Sequence, residues 1–103
     1  MNETIYKVFK GFPIVGPVVQ AAYIGSKVKA LLQKVEGMQA DPRTKDKTGK
    51  ELDEALADVA NDLYEESITP LVTQEGIPEM VEKPIREKAV EQIIEILRKK
   101  VIK

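Results

Sequence analysis

The sequence predicts an all-α fold, a small helical bundle made of a short N-terminal helix and three main helices at about residues 17–37, 49–66 and 78–102. Two observations support this prediction. Apolar residues recur every three or four positions in each main segment, as they do along the buried face of a helix, and no stretch of useful length alternates as a strand does. The chain has 103 residues, 43% of them hydrophobic, which suits one packed domain spanning residues 1–103.

The N-terminal part of the chain is apolar and interrupted by glycine and proline. Apolar side chains have helical spacing over residues 2–10, and we expect residues 1–16 to form a semi-independent apolar segment. No charged residue occurs from Gly11 to Ser26. As a straight helix this stretch would measure about 24 Å, which is less than the ~30 Å hydrocarbon core of a bilayer. The sequence therefore predicts no membrane-spanning helix and favours a cytoplasmic protein.

The first main helix has a seam of apolar positions spaced alternately by three and four residues, the spacing of a coiled-coil-like contact. These positions are Ala21, Ile24, Val28, Leu31, Val35 and Met38. Ala21 and Gly25 are four residues apart, and small residues let a second backbone approach closely. We therefore expect this helix to pack tightly against a neighbour, within the chain or in a second copy.

Residues 39–50 are polar and charged and contain Pro42 and Gly49, which predicts an exposed loop. Thr48 and Glu51 fit the capping-box pattern, in which the N-cap side chain accepts a hydrogen bond from the third amide of the helix. We expect the second main helix to begin at this point. Its predicted core stripe consists of Leu52, Leu56, Val59 and Leu63.

The C-terminal part contains a break and then the longest predicted helix. Pro70 disfavours helical backbone at Thr69, so we expect either a kink or a break between Ser67 and Pro70, followed by one or two further turns. In the last helix, apolar side chains cover an arc of about 180°. They are Ile85, Ala89, Val90, Ile93, Ile94, Ile96, Leu97 and Val101. An arc this wide predicts packing against two helices, or against one helix and a second subunit.

The residue types present exclude several classes of active site. The chain contains no cysteine and no histidine, which removes thiolate and imidazole catalysis and most zinc, copper and haem sites. Residues 46–49 match the phosphorylation motif of P-type ATPases, but that chemistry needs a large α/β domain. EF-hand and P-loop patterns placed over the same loop lack required residues. We therefore predict a protein that is not an enzyme and has no catalytic residue, cofactor or metal.

Charge is unevenly distributed along the chain. Residues 1–50 have nine Lys or Arg and four Asp or Glu, a net charge of +5, whereas residues 51–103 have seven and thirteen, a net charge of −6. Glu54, Asp58 and Asp62 form a row at helical spacing. The simplest interpretation of this row is a solvated acidic face, and the alternatives are a docking face for a basic partner or a weak metal site.

For function, we predict a non-enzymatic protein–protein interaction or assembly module that self-associates through apolar helix faces or binds another protein. The candidate interface residues are Phe9, Phe12, Ile14, Val15, Ala21, Gly25, Val90, Ile94, Leu97 and Val101. One alternative is a peripheral membrane protein that uses the apolar N-terminal segment, and another is a weak nucleic-acid binder that uses the basic N-terminal half. No small-molecule substrate is evident. The short chain with its apolar start is similar in style to small phage and prophage accessory proteins.

Overall fold

A computed structural model describes residues 16–101, and it is helical throughout its regular structure. The elements are α1 (Gly16–Glu36), a 3-10 helix (Pro42–Thr44), α2 (Gly49–Ser67), α3 (Thr69–Glu75) and α4 (Glu79–Val101). Residues 16–101 contain no strand. The predicted all-α bundle is therefore confirmed, with the bounds of all three main helices close to those expected. The short helix predicted at residues 2–10 lies outside the described residues.

The last helix, α4, packs along both α1 and α2. Lys100 near its C-terminus donates to the carbonyl oxygen of Glu36 at the end of α1, at 2.7 Å, so α4 and α1 run in the same direction. Arg98 pairs with Asp53 near the start of α2, at 2.8 Å, so α4 and α2 run in opposite directions. Helix α4 thus has two helical neighbours within the chain, and these two helices account for its wide apolar arc without a second subunit.

The buried core follows the predicted stripes with local shifts. Ile24, Val28, Leu31 and Val35 on α1 are buried, as are Leu52, Leu56 and Val59 on α2. Three predicted positions are only partly buried: Ala21, Met38 and Leu63. Val19, Tyr23 and Tyr64 are buried in addition. The shifts arise because a straight helix has 3.6 residues per turn, so a stripe of 3.5-residue period drifts around its surface.

The loop between α1 and α2 is mostly exposed, as predicted, but it is anchored at one point. Thr44 is only 1% exposed, and its hydroxyl donates to the carbonyl oxygen of Asp41 at 2.7 Å. The Asp41 carboxylate accepts from the backbone amide of Arg43 at 2.8 Å and caps the 3-10 helix. The Arg43 side chain in turn forms an ion pair with Asp62 on α2. The middle of the loop is therefore held against α2.

The capping box predicted at the start of α2 is wrong. Thr48 occupies the N-cap position with extended backbone, but its side chain makes no capping hydrogen bond. Gly49 follows with a left-handed φ of +58°. A capping box requires helical backbone immediately after the cap, and the left-handed backbone of Gly49 does not provide it.

An interruption before Pro70 is confirmed, and it is a break instead of a kink. Helix α2 ends at Ser67, and α3 begins after Ile68 at Thr69, which is helical although it precedes a proline. Helix α3 ends at Glu75, and its C-cap is Gly76, whose φ of +61° is left-handed and whose amide donates to the carbonyl oxygens of Thr73 and Val72. Glycine is favoured at such a C-terminal cap because it has no Cβ to clash.

Candidate interaction surfaces

The first half of α1 has an exposed face without charge. Val18 is 70% exposed, and Ala22 and Gly25 are exposed at the following turns. Residues spaced by four and three lie on the same side of a helix, so these three residues form one surface, which we call the α1 face. A Cβ placed on Gly25 would meet no atom within 4 Å. Packing within the described chain therefore does not explain a glycine in the middle of this helix.

The exposed sides of the other long helices are charged. Glu54 and Asp58 point outward from α2, and Glu87, Glu91 and Lys99 do so from α4. Exposed charge of this kind is what a solvated helix face requires. Met80 of α4 is also exposed, at 87%, but a charged residue, Lys83, is exposed one turn further on. The α1 face differs in that its three exposed residues are all uncharged, and this contrast is the main reason to regard it as a contact surface.

The α4 residues of the predicted interface lie elsewhere. Leu97 is 2% exposed and belongs to the core, whereas Val90, Ile94 and Val101 are partly buried against that core. Val101 lines a recess with Leu52 and Arg98, on the side of α4 that faces α2. These four residues therefore mainly join α4 to the rest of the chain.

The α1 residues of the predicted interface are separated from that group. Gly25 lines a different recess, together with Val28 of α1 and Ile85 and Ala89 of α4. Ala21 is partly buried beside it. The structure thus does not join the α1 and α4 residues into one surface. The remaining predicted interface residues, Phe9, Phe12, Ile14 and Val15, lie outside the described residues.

A buried polar network links the end of α2 to the start of α4. The Tyr64 hydroxyl donates to Glu82 Oε2 at 2.9 Å, and Arg86 donates to Glu82 Oε1 at 3.3 Å. Tyr64 is 1% exposed and Glu82 is 7% exposed. The sequence reasoning missed this pair, although Tyr64 continues the four-residue spacing of Leu56 and Ala60 along α2. Both oxygens of a buried carboxylate thus have donors, which offsets the cost of removing it from water.

Burial of Tyr64 raises the pKa of its phenol above the ordinary value of about 10, and the hydrogen bond to the Glu82 carboxylate raises that pKa further. The folded state therefore holds the Tyr64 proton at pH values where the unfolded chain releases it. Stability from this group is complete below pH 10 and falls as the pH rises above 10.

We expect the free energy of unfolding to fall by up to about 1.4 kcal/mol per pH unit above pH 10 through Tyr64 alone. Urea unfolding of wild type and Tyr64→Phe between pH 8 and pH 11.5 measures this contribution. The difference between the two proteins should stay constant below pH 10 and shrink above it. A difference that does not change with pH would contradict the assignment.

The carboxylates of the acidic row on α2 do not converge on one point. Glu54 and Asp58 are exposed, while Asp62 is paired with Arg43. In the part of the chain that the structure describes, no group of three or more Asp or Glu residues is arranged to hold a metal ion. Arg43 also lowers the pKa of the Asp41 carboxyl through hydrogen bonds from its side chain and its backbone amide. The charges near this row thus serve mainly to anchor the loop.

No family model, curated protein or solved structure matches this chain. Function must therefore be argued from the surfaces themselves. Among residues 16–101, no helix is both long enough and apolar enough to cross a bilayer. On the α1 face, uncharged residues are exposed where a solvated helix normally has charged ones, so this surface is the candidate considered below.

Proposed function

We propose that this protein is a non-enzymatic interaction or assembly module that self-associates through the α1 face. The observation that carries the proposal is the exposure of Val18, Ala22 and Gly25 on a helix that has no charged residue before Lys27. Exposed apolar residues grouped on one face favour a partner that covers them. The candidate interface residues Ala21 and Gly25 belong to this region, whereas the core position of Leu97 argues against its use by a partner.

The residue pattern favours an antiparallel arrangement of two α1 helices around a twofold axis near Ala22. In that arrangement, Val18 of one copy meets the flat surface at Gly25 of the other, and the contact is the same on both copies. Each Lys29 lies about 10 Å along the helix from the axis, so the two lysines point to opposite ends. A parallel pair would instead place the two Lys29 side chains close together, and their like charges would repel.

The contact is expected to be weak if it involves the α1 face alone. Stable protein interfaces bury about 800 Å² on each partner, and the roughly two helical turns from Val18 to Gly25 supply only part of that area. We therefore expect an association that depends strongly on protein concentration. The uncharged residues that precede α1 in the sequence are candidates for additional contact area.

Gly25→Ala is expected to change stability and self-association in opposite directions. The added methyl group meets no atom of the described residues within 4 Å, so replacing a glycine inside a helix should raise the free energy of unfolding by up to about 1 kcal/mol. The same methyl group would separate two helices that meet at Gly25 and weaken their association. Urea unfolding of the monomer at low concentration and sedimentation equilibrium at high concentration measure the two effects.

A charge placed on the α1 face provides a second test with a matched control. Ala22→Glu should shift the protein to monomer, because it buries a carboxylate in the proposed contact. Ala30→Glu introduces the same side chain at another exposed alanine of α1, about 80° away around the helix, and should leave association unchanged. If wild type is strictly monomeric at millimolar concentration, or if both variants behave alike, the proposal is wrong.

Membrane binding is the competing explanation for the same face. Lys27, Lys29 and Lys34 follow the uncharged turns of α1, and basic residues beside an apolar face favour anionic lipid surfaces. Flotation with vesicles containing phosphatidylserine at low salt distinguishes the two proposals. Flotation of a monomeric wild type, lost in Ala22→Glu, would replace self-association by peripheral membrane binding.

A further inference from the structure

The segment from residue 69 to residue 83, which comprises α3, the turn at Gly76 and the first residues of α4, has little buried surface of its own. Only Val72, Ile77 and Glu82 are buried in it. Met80 is 87% exposed. Few buried apolar contacts mark a region that opens more readily than the core of the same protein. We call residues 69–83 the strap.

The turn hydrogen bonds of the strap are local. Ile77 donates to Val72, and Val81 and Glu82 donate to Pro78, all within the strap, whereas Leu71 and Val72 donate to Ile68, the residue that precedes it. A proline lies near each end. Helix α2 stops before Pro70, and Pro84 lies inside α4, where it has no amide to donate to the preceding turn. Helix α4 is continuous from Glu79 to Val101, so Pro84 removes one hydrogen bond and weakens the backbone connection of the strap to the rest of α4.

Glu82 fastens the strap to the core. It is buried, and its carboxylate accepts from Tyr64 of α2 at 2.9 Å and from Arg86 of α4 at 3.3 Å. Arg86 lies beyond Pro84 and also approaches Glu79, at 3.9 Å. These contacts therefore cross the proline interruption and join the strap to both long helices that flank it. Hydrogen bonds to a charged group are about twice as strong as neutral ones.

We propose that the strap opens as one unit while α1, α2 and the remainder of α4 stay folded, and that Tyr64, Glu82 and Arg86 form the latch that holds it closed. Opening hydrates the Glu82 carboxylate and separates Val72 and Ile77 from the core. Loss of the Tyr64 hydroxyl makes opening easier, because it leaves Glu82 buried with fewer donors in the closed state.

Amide hydrogen exchange on the full chain, followed by NMR or mass spectrometry, tests this proposal. In wild type, strap amides should exchange faster than core amides of α1 and α2, and low urea should accelerate the core amides while changing the strap amides little. Tyr64→Phe should accelerate strap exchange by about 10- to 100-fold. Val35→Ala, at a buried position of α1, should accelerate core exchange and leave strap exchange unchanged.

Two results would overturn the proposal. Equal acceleration of strap and core amides by urea or by Val35→Ala would show that the strap opens only when the whole protein unfolds. Unchanged exchange rates of the strap amides in Tyr64→Phe would show that the Tyr64 hydrogen bond does not hold the strap closed. The urea dependence is measured on wild type alone. It therefore decides whether the strap opens separately from global unfolding even if a variant does not fold.

Discussion

Ile93→Ala is expected to lower the free energy of unfolding by about 2–5 kcal/mol, the range for truncating a fully buried isoleucine. Ile93 is 0% exposed and lies between Ala89 and Leu97 in the buried row of α4. Because α4 packs along both α1 and α2, a cavity at its centre removes contacts with both neighbours. Urea unfolding followed by circular dichroism measures the loss.

Glu91→Ala is the matched control for this substitution. Glu91 lies on the exposed side of the same helix, and exposed substitutions usually change stability by less than about 0.5 kcal/mol. The two variants together test the orientation of α4. Similar losses for Ile93→Ala and Glu91→Ala would contradict the placement of this helix between α1 and α2.

The second large effect is expected at Glu82. Glu82→Ala removes the acceptor of the Tyr64 hydroxyl, and the Tyr64 residue is only 1% exposed. A buried hydroxyl without a partner costs about 1–3 kcal/mol, and the lost packing of the Glu82 side chain adds to that cost. Urea unfolding at pH 7 should therefore show a loss of at least about 1 kcal/mol.

A neighbouring carboxylate and a double variant show whether this loss comes from the hydrogen bond. Glu79 also approaches Arg86, but its side chain is 77% exposed, so Glu79→Ala should change stability by less than about 0.5 kcal/mol. Combining Tyr64→Phe with Glu82→Met removes both polar partners and should recover much of the stability lost in Glu82→Ala. A double variant less stable than Glu82→Ala would show that the pair stabilises the fold in another way.

Local rules account for the features that sequence reasoning predicted correctly. The interruption before Pro70 was expected from the proline alone, although the break lies at Ile68 and Thr69 is helical. The buried positions of α1, such as Ile24 and Val35, depend on helical periodicity along one segment. The wide apolar arc of α4 required two neighbours, because a single helix covers a narrower stripe. Each of these predictions uses information from a single segment of the chain.

The features that were missed depend on residues far apart in the chain. Thr44 is buried because the loop is anchored on α2, where Arg43 meets Asp62. Tyr64 and Glu82 are 18 residues apart, and neither residue type alone predicts that the two side chains meet in the core. The capping box predicted at Thr48 was also wrong, although it involves only neighbouring residues, because Gly49 has a left-handed backbone.

The sequence by itself determined that the chain is helical, approximately where its three main helices lie, and most of the buried positions on them, because backbone preference and apolar periodicity are local properties. Only the tertiary structure decided which apolar residues remain exposed. Leu97 and Gly25 were both candidates for an interface, but packing buried Leu97 and left Gly25 open. That difference depends on where neighbouring helices lie, and it is the reason the proposed contact surface is the α1 face.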